Sequence, residues 1–268
     1  MRVIAIDWSG AQTGAERRIW RAEVAADGTE RLPSLTSGKS RAAVLEYLLT
    51  VDRHTVIGLD FAFSFPAWFL DQLGLQTAPE LWAHAAEQGE RWLAECAPPF
   101  WGRPGKPRPL LEAHYRRTEL DIQALGFTPK SIFQVGGAGA VGTGSIRGMP
   151  LLNALHERGF SIWPFDPPGW PLVLEIYPRM LTGPVAKSNA ASREAYLQRR
   201  YPGLECATED AFDAAVSALV MAHHVDEFPH LHRATGREGA IWYPGLTAVP
   251  PLGTLDSWPS PRLPAPSP

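Results

Sequence analysis

The sequence predicts an α/β protein built around a mixed β-sheet, and three observations lead to this fold class. Residues 3–7 form a continuous apolar run that ends in Asp7, which is typical of a central strand buried on both faces. Residues 18–25 alternate polar and apolar side chains before a turn, so an antiparallel strand pair should follow the first strand. Residues 40–50 then have helical spacing and lead into a second buried-type strand, residues 55–60, as a crossover helix would.

Length, charge and cysteine content narrow the class of protein. With 268 residues the chain can bury a sizeable core, and we expect one domain with an insertion. Its formal net charge is −3, so any contact with nucleic acid must come from a local basic patch. The two cysteines are isolated, and no apolar run is long enough for a signal peptide or a membrane span. We therefore expect a soluble, cytoplasmic protein with no membrane partner, and a homodimer is left open.

Acidic residues end or interrupt the strands that are predicted to be buried. Asp7 and Asp60 each stand at the carboxyl end of such a strand, where ligands bind in open α/β sheets. Each could instead cap a turn. Glu175 lies inside a third apolar run, residues 171–179, where an unpaired charge is costly. A metal or Arg179 could pair with it, and a buried Glu–Arg pair is the alternative to a catalytic role.

Residues 208–224 predict one helix that carries two further candidate acids. Asp213 is the only charge in its small, apolar middle section, so this carboxylate needs a metal, a basic partner or protonation, and we favour the metal. Asp210 lies one turn earlier and is within reach of the same cation, although it also suits the helix dipole. His223 or His224 could assist proton transfer, or could simply suit the dipole at the helix end.

Residues 66–150 are predicted to be an insertion, because the Pro and Gly density of residues 98–109 is incompatible with core sheet or helix. Basic residues outnumber acidic ones between positions 98 and 150, which predicts a patch that binds phosphates of nucleic acid. A solvated surface loop is the alternative. The basic residues assigned to substrate binding are Arg103, Lys106, Arg108, Arg116, Arg117, Lys130 and Arg147, together with Arg179 outside the insertion. The aromatic residues that could stack on bases are Phe100, Trp101, Tyr115 and Phe133.

The glycine-rich residues 136–145 contain a G-x-G-x-x-G match after a candidate strand, residues 131–135. A dinucleotide-binding motif requires an unbroken helix that begins within the glycines, but further glycines and Pro150 interrupt that place. We therefore favour a flexible glycine loop near the active site, whose backbone N–H groups can approach a phosphate.

Together these motifs resemble the ribonuclease H-like nucleases. The strand ends at residues 4–7 and 58–60, the segment 174–179 and the helix motif 210–219 are also similar to Holliday-junction resolvases. With residues 134–150, 162–166 and 238–244 added, the chain more closely resembles the domain-of-unknown-function 429 family of predicted nucleases. The resemblance implies a three-layer α/β/α fold with a mixed five-stranded central sheet. It covers residues 1–250, and residues 251–268 are predicted to be a Pro-rich disordered tail.

The same resemblance implies a metal site for Mg²⁺ or Mn²⁺, held by Asp7, Asp60 and Asp213, with Asp210 or Glu175 as a fourth acid. Two ions roughly 4 Å apart would then hydrolyse a phosphodiester bond of DNA or RNA. The long insertion departs from the resolvases, so a four-way junction is not implied as the substrate.

Other functions stay open at this point. One is a non-catalytic nucleic-acid or protein-binding module on the same fold, which would have no need of Asp213. Another is an actin-like or sugar-kinase-like phosphotransferase, because residues 7–10 resemble the phosphate loop of those enzymes, although a second copy of the domain is missing. A small-molecule phosphohydrolase is a third.

Overall fold

The computed structural model describes residues 1–26, 32–111, 113–232 and 236–246, and confirms an α/β structure with a mixed sheet and helices on both faces. The predicted tail, residues 251–268, lies outside this range. The strands of the described part are β1 (Arg2–Asp7), β2 (Trp20–Ala25), β3 (Ser34–Thr36), β4 (Thr55–Leu59), β5 (Ser161–Ile162), β6 (Leu172–Ile176) and β7 (Ile241–Trp242). Its α-helices are α1 (Arg41–Leu48), α2 (Ala67–Gln72), α3 (Ala78–Glu95), α4 (Arg117–Ala124), α5 (Val141–Glu157), α6 (Pro178–Thr182), α7 (Ala190–Arg200) and α8 (Glu209–His223).

The strand order is β3-β2-β1-β4-β6-β5, and β7 also pairs with β6. Strand β1 is antiparallel to β2 and parallel to β4, and β4 is parallel to β6. Because β4 pairs with residues 172–175 of β6, the short strands β5 and β7 both lie on the other edge of β6, one after the other. The described sheet thus has seven strands. The expectation of five was wrong, because two strands of two residues each complete this outer edge.

Alternating side chains of the central strands contribute to two separate cores. Ile4 and Ile6 of β1 pack in the core that contains α3 and α5, which we call the α5 face. Val3 and Ala5 pack with Ala214 of α8 on the opposite side, which we call the α8 face. Successive residues of a strand point to opposite faces, so the sheet register decides on which side each later side chain of a strand lies.

The segment that was predicted to be an insertion, residues 66–150, packs directly on the sheet. Phe100 and Phe133 are buried in the same core as Ile4 and Ile6 of β1. They are therefore not available to stack on bases, and that prediction was wrong. The predicted strand at residues 131–135 is also absent from the structure, where a single bridge pairs Trp101 with Gln134. Phe100 and Phe133 therefore extend the core, Trp101 is half-buried at its margin, and Tyr115 is half-buried outside it.

Helix α5 begins at Val141 and runs through the glycines and Pro150 that were expected to interrupt it. Close packing explains why glycine is kept inside this helix. A Cβ atom at Gly142 would lie 1.9 Å from the carbonyl oxygen of Ile132, and one at Gly148 would lie 2.5 Å from the ring of Phe61. The glycines thus allow neighbouring segments to approach the helix, and they do not end it.

Candidate functional site

Asp7 and Asp60 lie side by side at one edge of the sheet. Asp7 is the last residue of β1, and Asp60 directly follows β4 and donates its backbone N–H to the carbonyl oxygen of Ile6 at 3.0 Å. The parallel register pairs Ile6 with Leu59, and both of these residues pack on the α5 face. The next residue of each strand therefore lies on the α8 face, which places both carboxylates on the same side.

Helix α8 brings a third carboxylate to this edge. The side chain of its N-cap residue, Thr208, accepts a hydrogen bond from the backbone N–H of Ala211 at 3.0 Å and fixes the start of the helix. Small residues such as Ala214 and Ala218 let the helix pack closely on β1, and Asp213 is left only 6% exposed. Asp210 lies three residues earlier and is half-buried.

These four carboxylates act on one another electrostatically. Burial raises the pKa of Asp7 well above its ordinary value, and the charges of Asp60, Asp213 and Asp210 raise it further. Burial and the charge of Asp213 raise the pKa of Asp60 to about 8, and burial raises the pKa of Asp213 to about 6. Burial also raises the pKa of Asp210. Carboxylates in this situation are stabilised in their ionised form by a bound cation.

Lys187 supplies a positive charge inside this group. Its ammonium group forms an ion pair with Oδ2 of Asp213. The other carboxylate oxygen, Oδ1, is buried and makes no hydrogen bond within the described part of the chain. Of the three ways to stabilise Asp213 that the sequence allowed, the structure thus contains the basic partner. Sequence reasoning missed it, because Lys187 is 26 residues away and looks like one more cation of a polar stretch.

The charge of Glu175 also raises the pKa of Asp60, but Glu175 does not lie on the same face of the sheet as the four acids. The register pairs it with Leu59, so it lies on the α5 face, opposite to Asp7 and Asp60. There it is 2% exposed, and its carboxylate accepts hydrogen bonds from Arg116 at 2.5 and 2.9 Å and from the backbone N–H of Phe63 at 2.9 Å. The structure therefore contains the buried Glu–Arg pair that was the alternative to a catalytic role.

Two arginines that were assigned to substrate binding, Arg179 and Arg116, have internal partners, and Arg116 takes the place beside Glu175 that was expected for Arg179. Arg179 donates to the carbonyl oxygen of Val185 at 2.6 Å. Arg116 is fully buried between Glu175 and Glu119, so its assignment to substrate phosphates is wrong. Two carboxylates around one guanidinium group form a satisfied internal network, which serves the stability of the fold.

The turn after Asp7 is held against the first turn of α5. A Cβ atom at Gly10 would lie 2.3 Å from the backbone nitrogen of Gly144, and the indole of Trp8 donates to the carbonyl oxygen of Gly144 at 3.1 Å. Arg41 donates to the carbonyl oxygens of residues 9 and 11, and Arg147 donates to that of Gly10. Arg147, which was assigned to substrate, thus fixes this turn and pairs with an acid of α3.

Three of the predicted substrate-binding residues line one cavity. Arg103, Lys106 and Arg108, together with Trp101, line a shallow, solvent-open depression of about 370 Å³, which we call the basic cavity. The guanidinium group of Arg108 lies over the Trp101 ring, 5.5 Å from its centroid. Residues 101–108 pack closely on the glycine-rich loop, since a Cβ atom at Gly102 would lie 2.4 Å from the carbonyl oxygen of Gly136. The cavity therefore adjoins the start of the glycine-rich loop, and the turn after Asp7 packs on Gly144, eight residues further along the chain.

The remaining predicted cations lie on the surface. Lys130 is exposed, and its side-chain carbons would lie 3.3–3.8 Å from a Cβ atom at Gly139 in the glycine-rich loop. Arg117 is exposed and pairs with Asp121 at 2.9 Å. His223 and His224 stand ten or more residues after Asp213, roughly 15 Å along the helix, so they are far from the acid group.

The described residues contain no three His, Cys, Asp or Glu side chains that are already arranged to hold one metal ion. No helix of the described chain is long and apolar enough to cross a membrane. Comparisons with protein-family models, with curated proteins and with solved structures gave no match. The resemblance to the domain-of-unknown-function 429 family therefore stays a prediction.

Proposed function

We propose that this protein is a divalent-metal-dependent nuclease with a ribonuclease H-like fold, which hydrolyses phosphodiester bonds of nucleic acid at the acid group of Asp7, Asp60 and Asp213. The observation that carries the proposal is this group itself. Three acids that are far apart in sequence meet at the carboxyl edge of a sheet and are largely buried. The charges of Asp60 and Asp213 raise the pKa of Asp7, and the charge of Asp213 raises the pKa of Asp60. Asp210 is the fourth acid, because Glu175 lies on the other face.

The order of the strands supports the proposed fold. Residues 1–59 form two antiparallel pairings followed by a helix and a strand parallel to the first, and β1 and β4 are neighbours. This is the β-β-β-α-β arrangement by which the sequence resembles ribonuclease H-like proteins, with the two acid-bearing strands side by side.

The chemistry of the residues fits Mg²⁺ or Mn²⁺. Both ions prefer carboxylate oxygens, and the acid group offers only such ligands. Oδ1 of Asp213 is a buried acceptor without a partner among the described residues, as expected for a ligand atom. When bound, the ion would lower the pKa of a water molecule and stabilise the charge on the leaving oxygen. Asp7, Asp60 and Asp213 would hold it.

The cavity around Trp101 supports nucleic acid as the substrate. Lys106 and Arg108 are exposed, and the cavity they line with Arg103 contains no acidic side chain among the described residues. Cations of this kind bind phosphates, and an aromatic ring among them can stack on a base. The segment that lines the cavity packs on the glycine-rich loop at Gly136, and the first turn of α5 beyond that loop packs on the turn after Asp7.

The proposal is tested by incubating the full chain with single-stranded, duplex and branched DNA and RNA in Mn²⁺ or Mg²⁺. We expect cleavage of at least one substrate, and Asp7→Asn should reduce it on the order of a thousandfold, because several kcal/mol of charge stabilisation are lost. Asp52→Asn is the matched control, since Asp52 lies before β4 at the opposite edge of the sheet. Cleavage that is equally strong in Asp7→Asn would refute the site. If no nucleic acid is cleaved, hydrolysis of a small phosphorylated molecule becomes the better function.

A further inference from the structure

Lys187 is held at the acid group by its backbone as well as by its side chain. It lies between α6 and α7, where its carbonyl oxygen accepts a hydrogen bond from Arg193 at 2.5 Å. Two residues earlier, the carbonyl oxygen of Val185 accepts one from Arg179 at 2.6 Å. Arg193 is itself buried. A segment fixed by two guanidinium groups delivers its ammonium group to one place, in contrast to a lysine on a free surface loop.

The charge of Lys187 acts on the whole group. It lowers the pKa values of Asp7, Asp60, Asp210 and Asp213, all of which burial raises. Its direct partner is Oδ2 of Asp213, so one oxygen of that carboxylate is taken by an ammonium group and the other is left without a partner in the described structure. One carboxylate oxygen of Asp213 is thus paired with Lys187, and the other is left to bind one additional cation.

The number of charges points in the same direction. With a cation bound, Asp7, Asp60, Asp210 and Asp213 would be ionised, and these four carboxylates together with the ammonium group of Lys187 would carry three negative charges. One divalent cation reduces these to a single negative charge, whereas two would make the site positive. Without Lys187, the four negative charges would be balanced by two divalent ions. The lysine therefore takes up the charge and one of the carboxylate oxygens that a second ion would use.

We propose that Lys187 permanently occupies the place of one of two metal ions, so that this acid group binds a single divalent cation. The inference rests on the proposed metal site and corrects the two-ion arrangement that the sequence resemblance implied. Lys187 acts here as a tethered counter-charge, and it also selects against a second ion by repulsion.

The test is the number of Mn²⁺ ions bound per chain, measured by calorimetric titration of the full-length protein. We expect one ion for the wild type and two for Lys187→Met, which removes the charge and keeps the length of the side chain. Lys130→Met is the matched control, because Lys130 is exposed beside Gly139, and it should bind one ion. Two ions bound by the wild type, or the same number bound by Lys187→Met and the wild type, would overturn the inference.

A second measurement covers the case in which Lys187→Met is unstable without metal. The variant is then purified in Mn²⁺, dialysed against a low concentration of the ion, and analysed for metal content. Lys187→Met should contain twice the Mn²⁺ of the wild type, and its melting temperature should rise more steeply with Mn²⁺ concentration. Adding Asp213→Asn to Lys187→Met should return the content to that of the wild type or lower. Equal contents in Lys187→Met and the wild type would again contradict the inference.

Failure of this inference differs from failure of the proposed function. If the wild type cleaves nucleic acid in a manner that depends on Asp7 but binds two ions, only the role of Lys187 is wrong. If the ion counts are one and two as expected and no nucleic acid is cleaved, the role of Lys187 stands and the nuclease activity does not. Absence of Mn²⁺ binding to both proteins would refute both.

Discussion

The burial of Arg116 allows a test of whether this residue stabilises the fold or binds substrate. Arg116 is fully buried and donates to Glu119 at 3.0 and 3.1 Å, to Glu175 at 2.5 and 2.9 Å, and to the carbonyl oxygen of Glu238 at 3.1 Å. Arg116→Met would leave two buried carboxylates without their cation. Removing one partner of a buried ion pair costs about 3–5 kcal/mol. We expect this loss in the free energy of unfolding, and a melting temperature lower by roughly 6–20 °C for a chain of this size.

The neighbouring Arg117 provides the control. Its guanidinium group is exposed and pairs with Asp121 on the surface, so Arg117→Met should cost no more than about 1 kcal/mol. Urea unfolding followed by circular dichroism measures both variants. Adding Glu175→Gln to Arg116→Met removes one of the two stranded charges and should restore part of the lost stability. If Arg116→Met is as stable as Arg117→Met but binds nucleic acid more weakly, the buried-pair interpretation is refuted and Arg116 contacts the substrate.

Three further predictions concern the acid group, the basic cavity and the turn after β1. Without divalent ions, the melting temperature should fall as pH rises from about 4 to the Asp60 pKa of about 8, because in this range only the folded protein keeps the Asp60 carboxyl protonated. Asp60→Asn should flatten this dependence of melting temperature on pH, and the same dependence in Asp60→Asn and the wild type would contradict the raised pKa. For nucleic acid binding measured in Ca²⁺ across a salt series, Lys106→Met with Arg108→Met should make the log-log slope shallower by up to about two contacts. Arg53→Met with Arg158→Met, exposed at the other edge of the sheet, should leave the slope unchanged, and equal slopes for both pairs would remove the cavity from the interface. Gly10→Ala places a Cβ atom 2.3 Å from the backbone of α5 and should lower the free energy of unfolding by at least about 1–3 kcal/mol. Gly236→Ala is the control, because its Cβ atom meets nothing within 4 Å. Equal melting temperatures of the two variants would contradict the close packing of the turn after β1.

The main elements around the acid group could be predicted from local patterns. The apolar runs that become β1 and β4, the helix between them and the capped helix α8 all follow from periodicity and N-cap chemistry. Because parallel strands joined by a crossover end at the same edge, the proximity of Asp7 and Asp60 could be expected as well. These features depend on the residues of one segment, or on a connection rule that holds for any chain.

The partners of the buried charges depend on contacts that no local pattern records. Glu175 is 59 residues from Arg116 and 112 residues from Phe63 along the chain. The alternation of side chains along β6 shows which residues share a face with Glu175, but it does not show which of the two faces is turned toward α8. The register with β4 decides this, and it turns Glu175 away from Asp7. In the same way, the sequence of α8 shows that Asp213 needs a counter-charge, and the packing of the segment after α6 decides that Lys187 provides it. The sequence of an apolar helix or strand shows that a carboxylate within it needs a partner if it is buried. Which cation becomes that partner depends on how distant segments pack, so only the tertiary structure decides it.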